Sequence, residues 1–163
     1  MKSVFFVGSN SSCLPGNVHN NDLRLTGSSG TLKTPQDYYP PGLNCNWLIT
    51  VPEGKTVELT FNRFQLDPSR VCGDYVEVLD GQHVYSKTLG KFCGYDSFPE
   101  AIQSTSQYMR VTFESDLTEY TGYEGFEATF KALDKSSKFC CFLNLFSFFY
   151  VIIYLKVHVL RLE

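Results

Sequence analysis

Residues and motifs that mark common classes of enzyme are scarce or missing in this sequence. The 163 residues include three His, two Met and one Trp. No His-Glu-x-x-His, Gly-x-Ser-x-Gly or P-loop pattern occurs, and we interpret the scattered His19, His83 and His158 as surface residues. The formal net charge of −3 also lacks the basic excess of nucleic-acid-binding domains. The sequence therefore predicts neither catalysis of its own nor a nucleic-acid partner.

The cysteines include no Cys-x-x-Cys pair, which argues against a zinc site or a thioredoxin-like redox motif. Four of the six are spread through the body of the chain, at Cys13, Cys45, Cys72 and Cys93. This spacing is typical of two structural disulfides in an oxidising, extracellular compartment. Three pairings are open to four cysteines. The strand-like run at 75–79 and the turn signal Asp80-Gly81 place Cys72 near Cys93 across a hairpin, which leaves Cys13 for Cys45.

The chain begins with a short apolar run instead of a full secretory signal. Lys2 precedes four apolar residues, whereas a signal core needs roughly 7 to 15. We therefore expect residues 1–12 to be a short N-terminal segment with a poor or truncated signal. This segment includes Asn10-Ser11-Ser12, in which Asn10 is a candidate N-glycosylation site.

The C-terminal segment, 135–163, differs in composition from the rest of the chain. From Phe139 to Leu155 it has 17 uncharged residues, five of them Phe, with basic residues on both sides. A helix of this length would span about 25 Å, the lower limit for crossing a bilayer. Two interpretations stay open: a membrane anchor, and a translated non-coding extension or fragment end.

Between these ends, residues 13–134 read as a single all-β domain. Alternating apolar residues, with a period of two, occur at 45–51, 57–61, 75–79, 109–113 and 126–132, and turn residues separate the runs. No long segment has the 3.6-residue period of a helix. The pattern predicts an antiparallel β-sandwich in which Trp47 is a core anchor.

The order of the motifs is more specific than their period. From the N-terminus they are Cys13; Gly30-Thr31-Leu32-Lys33-Thr34-Pro35; Tyr38-Tyr39-Pro40; Asn44-Cys45-Asn46-Trp47; Leu59-Thr60-Phe61-Asn62-Arg63-Phe64-Gln65-Leu66-Asp67; Cys72-Gly73-Asp74-Tyr75-Val76-Glu77-Val78; Leu89-Gly90-Lys91-Phe92-Cys93-Gly94; Val111-Thr112-Phe113-Glu114-Ser115-Asp116; and Gly125-Phe126-Glu127-Ala128. This series resembles the CUB domain, an extracellular module of complement proteases, tolloid-like proteases, cubilin and spermadhesins. The resemblance implies a jelly-roll-like sandwich with disulfides Cys13–Cys45 and Cys72–Cys93.

Three carboxylates at strand ends, Asp67, Asp74 and Asp116, are the candidate metal ligands. Calcium prefers six to eight oxygen ligands, which carboxylates, carbonyls and water supply. In calcium-binding CUB domains the acids at these positions are the ligands, and the resemblance adds oxygens of Thr118 and Glu119. This chain departs from the family at two positions, with Asp67 where Glu is usual and Gly73 where Tyr is usual. The alternative is that the three acids are solvated turn residues.

The charge distribution and the resemblance together suggest the kind of partner. Residues 13–134 carry 16 acidic and nine basic residues, a net charge of −7. In the family, the calcium-ordered surface captures a Lys or Arg of a protein partner. We therefore expect an extracellular calcium-dependent protein-binding module in which Asp67, Asp74 and Asp116 also contact the partner. Two alternatives are a non-catalytic part of a larger secreted protease that positions substrate, and a carbohydrate or lipid binder.

Overall fold

The computed structural model describes residues 14–15, 23–34, 38–68, 71–95, 100–118 and 122–135. These residues form ten β-strands and no helix. The strands are β1 (Leu14–Pro15), β2 (Leu23–Thr26), β3 (Ser29–Lys33), β4 (Leu43–Thr50), β5 (Lys55–Gln65), β6 (Tyr75–Asp80), β7 (Lys87–Phe92), β8 (Ile102–Gln103), β9 (Tyr108–Glu114) and β10 (Gly125–Asp134). The described part of the chain is therefore all-β, as the two-residue periodicity predicts.

The strands form two sheets. The larger has the order β1-β4-β9-β6-β7, with β2 beside β4, and the smaller has the order β3-β10-β5-β8. Every pairing is antiparallel except that of β2 with β4, which is parallel over 23–26 and 47–50. This one parallel pair departs from the purely antiparallel sandwich that the sequence predicts, because the chain crosses to the smaller sheet through β3 between the two strands.

The two sheets pack face to face through their apolar faces. Trp47 of β4 is 4% exposed and meets the ring of Phe126 of β10 edge-on at 5.5 Å between centroids. Phe113 of β9 meets the same ring at 5.9 Å. Side chains alternate between the two faces of a strand, so the alternate residues of these strands fill one continuous core. The prediction that Trp47 is a core anchor is confirmed.

The predicted hairpin around the third and fourth cysteines is present, although its loop is longer than a tight turn. β6 pairs with β7 in antiparallel register, and residues 81–86 connect them. Cys72 and Cys93 form a disulfide with their Cα atoms 5.6 Å apart. Cys45 is also disulfide-bonded, but its expected partner Cys13 lies outside the described residues, so that pairing stays a prediction.

Several sequence-based predictions fall outside the described residues. They concern the segment 1–12 with Asn10, the ligand Glu119, and the apolar run from Phe139 to Leu155. Within the described ranges, no helix has the length and apolar character needed to cross a membrane. The anchor at 139–155 therefore stays a prediction.

Candidate functional site

The three candidate acids lie at the same end of the sandwich. Asp67 follows the C-terminal end of β5, Asp74 precedes β6 and Asp116 follows β9. Because β6 and β9 are antiparallel neighbours, with Tyr75 opposite Glu114, the start of one strand lies beside the end of the other. We call the set Asp67, Asp74, Asp116 and Tyr39 the acid edge.

Tyr39 joins the two most buried acids across the two sheets. Its hydroxyl donates a hydrogen bond to Oδ2 of Asp74 at 2.5 Å and accepts one from the backbone N–H of Asp67 at 3.0 Å. Asp67 and Asp74 are each only 5% exposed. Burial, the hydrogen bond to Asp74 and the charges of both acids all raise the pKa of Tyr39 far above its ordinary value. The hydroxyl therefore stays protonated at neutral pH and remains a donor to Asp74.

Asp116 is attached to the acid edge through its backbone. Its N–H donates to Oδ1 of Asp74 at 2.8 Å, and its carbonyl accepts from the N–H of Gly42 at 2.7 Å. Its own carboxylate accepts from the N–H of Thr118 at 2.7 Å, closing a short turn. The structure thus places Asp67, Asp74, Asp116 and Thr118, four of the five metal ligands that the resemblance suggests, at one end of the sandwich.

The donor atoms at the acid edge are of the kind that a hard cation prefers. They are carboxylate oxygens from three segments, with a hydroxyl side chain in the following turn. As the side chains stand, however, no three His, Cys, Asp or Glu residues among those described are grouped closely enough to form a metal centre. Both oxygens of Asp74 already accept hydrogen bonds. The residue types at the acid edge match the oxygen ligands that calcium takes, but the described side chains are not arranged around a common point.

Other acids near Asp116 in sequence are already paired elsewhere. The carboxylate of Glu114 accepts hydrogen bonds from Asn44 at 2.8 Å and from the hydroxyl of Tyr75. Glu124 forms an ion pair with Arg63 at 3.2 Å. Burial and the hydrogen bond to Glu114 raise the pKa of Tyr75. Glu114 and Glu124 therefore have partners of their own outside the acid edge.

The loops around the acid edge also expose large apolar side chains. These are Tyr38, Val71, Tyr95 and Leu117, of which Val71 and Leu117 are 84% and 86% exposed. Each lies within three residues of an acid-edge residue or of the Cys72–Cys93 disulfide. Apolar side chains exposed singly are common on protein surfaces, and these four are of interest because they flank the acid edge in sequence.

Tyr39 is the site residue that the sequence does not reveal. Its motif, Tyr38-Tyr39-Pro40-Pro41, predicts only an extended segment before the second cysteine. Its two partners are 28 and 35 residues further along the chain. No local signal specifies contacts at that separation.

An all-β sandwich cross-linked by a disulfide, with acids at one loop end and no recognisable catalytic motif, is typical of extracellular binding modules. The family model of the CUB domain matches residues 20–130 of this chain. The chain therefore belongs to the CUB domain family, as the order of its motifs predicts.

Named relatives agree with this assignment. The chain is 40% identical over 119 residues to human "Procollagen C-endopeptidase enhancer 1", a match that covers 70% of this chain and 26% of that protein. The chain thus spans about a quarter of that relative's length.

Solved structures share the fold. The "MASP-1 CUB2 domain bound to Ca2+" is 30% identical with a TM-score of 0.56, over 66% of this chain and 96% of that one. The "full extracellular region of zebrafish Gpr126/Adgrg6" is 32% identical with a TM-score of 0.60, over 70% of this chain and 15% of that one. These relatives and the Cys72–Cys93 disulfide confirm an extracellular location for the module.

Proposed function

We propose that the acid edge binds calcium and, once ordered by the ion, captures a Lys or Arg side chain of an extracellular protein partner. The observation that carries the proposal is that Asp67, Asp74 and Asp116 lie at one end of the sandwich, linked through the Tyr39 hydroxyl and the backbone of Asp116. Carboxylates that turn toward one another repel, and a cation between them relieves that repulsion. A solved CUB domain of similar fold, the "MASP-1 CUB2 domain bound to Ca2+", supports the ion's identity.

In this proposal the three acids bind the ion and also attract the partner. Asp67, Asp74 and Asp116 supply charged oxygens, Thr118 and Glu119 supply further oxygens, and the Tyr39 hydroxyl fixes the orientation of Asp74. Calcium supplies the positive charge that holds the loops together. The carboxylates attract the partner's cation, and the exposed Val71 and Leu117 give that partner apolar contact beside its charged group.

The first test measures calcium alone. Titration of the purified chain is expected to show one site with a dissociation constant of about 0.1 to 1 mM, the range of extracellular modules. Asp116→Ala removes a charged ligand, so affinity should fall at least tenfold, or about 1.4 kcal/mol. Asp67→Glu restores the acid that is usual in the family and should leave affinity unchanged or higher. Glu53→Ala, in the exposed turn after β4, is the control and should change nothing.

The second test concerns the partner and uses immobilised poly-L-lysine as the probe. Binding is expected in millimolar calcium and should disappear with chelator and in Asp116→Ala. Retention that survives chelation would instead indicate general attraction of an acidic chain to a basic polymer, or binding through another surface. No calcium binding at 10 mM in the parent chain would contradict the proposal and leave the acids as turn residues.

A second candidate function is that this module positions the substrate of a larger secreted protease. It is favoured by the chain's coverage of only 26% of its enhancer relative, whose name refers to an endopeptidase. In that case the module itself would still have no catalytic residues. Transcript sequencing that shows a zincin or trypsin-like domain in the same reading frame would support it, and a complete transcript without one would reject it.

A further inference from the structure

The hairpin of β6 and β7 ends in a loop that exposes two apolar side chains. Val84 is 70% exposed and Tyr85 is 83% exposed. Lys87, the first residue of β7, follows them and is also exposed. We call residues 81–87 the hairpin tip. This surface presents a cation beside two apolar side chains.

Hydrogen bonds hold the hairpin tip in one conformation. Arg110, which is buried, donates to the carbonyl of Gln82 from Nε at 3.2 Å and from Nη2 at 2.9 Å. The N–H of Ser86 donates to the carbonyl of His83 at 3.0 Å, and its hydroxyl accepts from the N–H of His83 at 3.2 Å. The rings of His83 and Tyr85 stack in parallel, 5.2 Å apart. A loop that is ordered before binding loses less conformational entropy when a partner docks.

Lys87 enters no ion pair with any residue in the described part of the chain. Asp80 lies opposite it in the hairpin. The two carboxylate oxygens of Asp80, however, accept hydrogen bonds from the N–H and the hydroxyl of Thr105, at 2.8 Å each. The ammonium group of Lys87 is therefore available to a carboxylate of another molecule.

The acid edge complements the hairpin tip in charge and in apolar character. It carries the carboxylates of Asp67, Asp74 and Asp116. The exposed Leu117 follows Asp116 directly, and the exposed Val71 lies three residues before Asp74. Opposite charges give an interface its specificity, and apolar groups beside them give it buried contact area.

The two surfaces lie at opposite ends of β6 and do not meet within one molecule. Asp74 precedes the strand and Asp80 ends it, a separation of about 20 Å at about 3.3 Å per residue. Lys87 lies opposite Asp80, at the end remote from Asp74. A lysine side chain is far shorter than this separation, so contact between the two surfaces requires a second copy of the chain.

We propose that the hairpin tip of one chain docks on the acid edge of a second copy, with Lys87 as the cation that the acids capture. The inference rests on the proposed function and names a partner for it. The two contacting surfaces differ, so the contact is heterologous, and every pair of copies keeps one free tip and one free acid edge. Association therefore continues beyond the dimer into an open chain, or closes into a ring.

Sedimentation velocity of the full chain, with the same mild detergent in every sample, tests the inference. In millimolar calcium the parent is expected to form species larger than a dimer as its concentration rises. Lys87→Ala and Tyr85→Ala should each raise the dissociation constant of self-association about tenfold or more, and Lys87→Arg should leave it within about threefold. Lys33→Ala is the matched control: Lys33 is an exposed lysine of β3, outside the hairpin tip, and its variant should associate as the parent does.

Mixing two inactive variants gives a sharper test of the head-to-tail arrangement. Lys87→Glu keeps the acid edge and loses the tip, whereas Asp116→Ala keeps the tip and weakens the acid edge. Each alone should remain monomeric where the parent associates. An equimolar mixture should form dimers and nothing larger, because each pair then has one working contact and no free working surface. Lys87→Glu should bind calcium as the parent does, since its change lies outside the acid edge.

The outcomes separate this inference from the calcium proposal. If the parent binds calcium and poly-L-lysine but stays monomeric at about 1 mM protein, the inference is wrong and the calcium proposal stands. If all variants associate equally, or if the mixture stays monomeric, the tip does not dock on the acid edge and the inference is also wrong. If the mixture forms dimers in chelator as readily as in calcium, the inference stands and the role of calcium fails.

Discussion

Oδ1 of Asp74 accepts a hydrogen bond at 2.8 Å from the backbone N–H of Asp116, which is 42 residues away in the chain. The contact ties the start of β6 to the end of β9 at the loop end of the larger sheet. The other oxygen of the same carboxylate accepts a hydrogen bond from the Tyr39 hydroxyl. That hydroxyl also accepts one from the backbone N–H of Asp67, which follows β5 of the smaller sheet. Asp74 is therefore the central residue of the acid edge, because its carboxylate binds both Tyr39 and Asp116.

The Tyr39 hydroxyl should contribute measurably to folding stability. Tyr39→Phe removes a donor to Asp74 and an acceptor for the Asp67 N–H in a buried position, a change that costs about 1 to 3 kcal/mol. Urea unfolding of the purified chain should show the corresponding decrease in the free energy of unfolding. Tyr38→Phe is the matched control: Tyr38 is 59% exposed, and its change should stay within about 0.5 kcal/mol.

Stability should fall in alkaline solution because of two tyrosines. Burial, and next the hydrogen bonds to Asp74 and Glu114, raise the pKa of Tyr39 and Tyr75 in the folded chain above the ordinary value of about 10. Above pH 10 the unfolded chain loses these protons while the folded chain keeps them. The unfolded state then binds fewer protons, so the free energy of unfolding decreases as pH rises.

Urea unfolding between pH 8 and 12 measures this dependence. The decrease should begin near pH 10 and should be less steep in Tyr39→Phe and in Tyr75→Phe than in the parent. Tyr38→Phe should keep the parent's slope. Equal slopes in all variants would mean that other groups cause the alkaline loss.

Strands with alternating buried and exposed residues could be predicted from the sequence. Strands that depend on pairing with a distant segment could not. β4 and β9 carry a buried residue at every second position, and β10 does so from Phe126 to Phe130, so their periodicity is visible without a structure. β8 has only two residues and exists because it pairs with Glu58 and Leu59 of β5. Such a strand has no periodicity of its own to detect.

The same distinction holds at the acid edge. Asp67, Asp74 and Asp116 could be singled out because each lies at the end of a recognisable strand pattern. The role of Tyr39 depends on two residues far away in sequence. Gly73 is visible in the sequence as a departure from the family, but its closeness to the Asp116 carboxylate is a tertiary contact that the sequence does not reveal.

The apolar segment from Phe139 to Leu155 should decide whether the chain stays with membranes. If it is an anchor, the full chain expressed in a secretory host should remain in the membrane fraction after alkaline carbonate washing. A chain shortened to end at Lys138 should then be secreted, because its remaining domain is a disulfide-bonded extracellular module. Equal secretion of both chains would reject the anchor.

The Cys72–Cys93 disulfide should support both the fold and the acid edge. The bridge closes a loop with a sequence separation of 21, and a loop of this size corresponds to about 3 kcal/mol on the chain-entropy account. Cys72 has a φ of 53°, a left-handed conformation that a residue with a side chain adopts at a cost, so it depends on its surroundings to hold it.

Replacing both cysteines by serine should therefore lower the free energy of unfolding by about 3 kcal/mol and free the backbone just before Gly73 and Asp74. Calcium affinity should fall along with stability, since Asp74 follows this segment directly. Urea unfolding and calcium titration measure the two effects, and non-reducing peptide mapping of the parent should recover Cys72 with Cys93 and Cys13 with Cys45. If the variant with both cysteines replaced by serine binds calcium as tightly as the parent, the β-sheet contacts of β6 alone hold Asp74 in place.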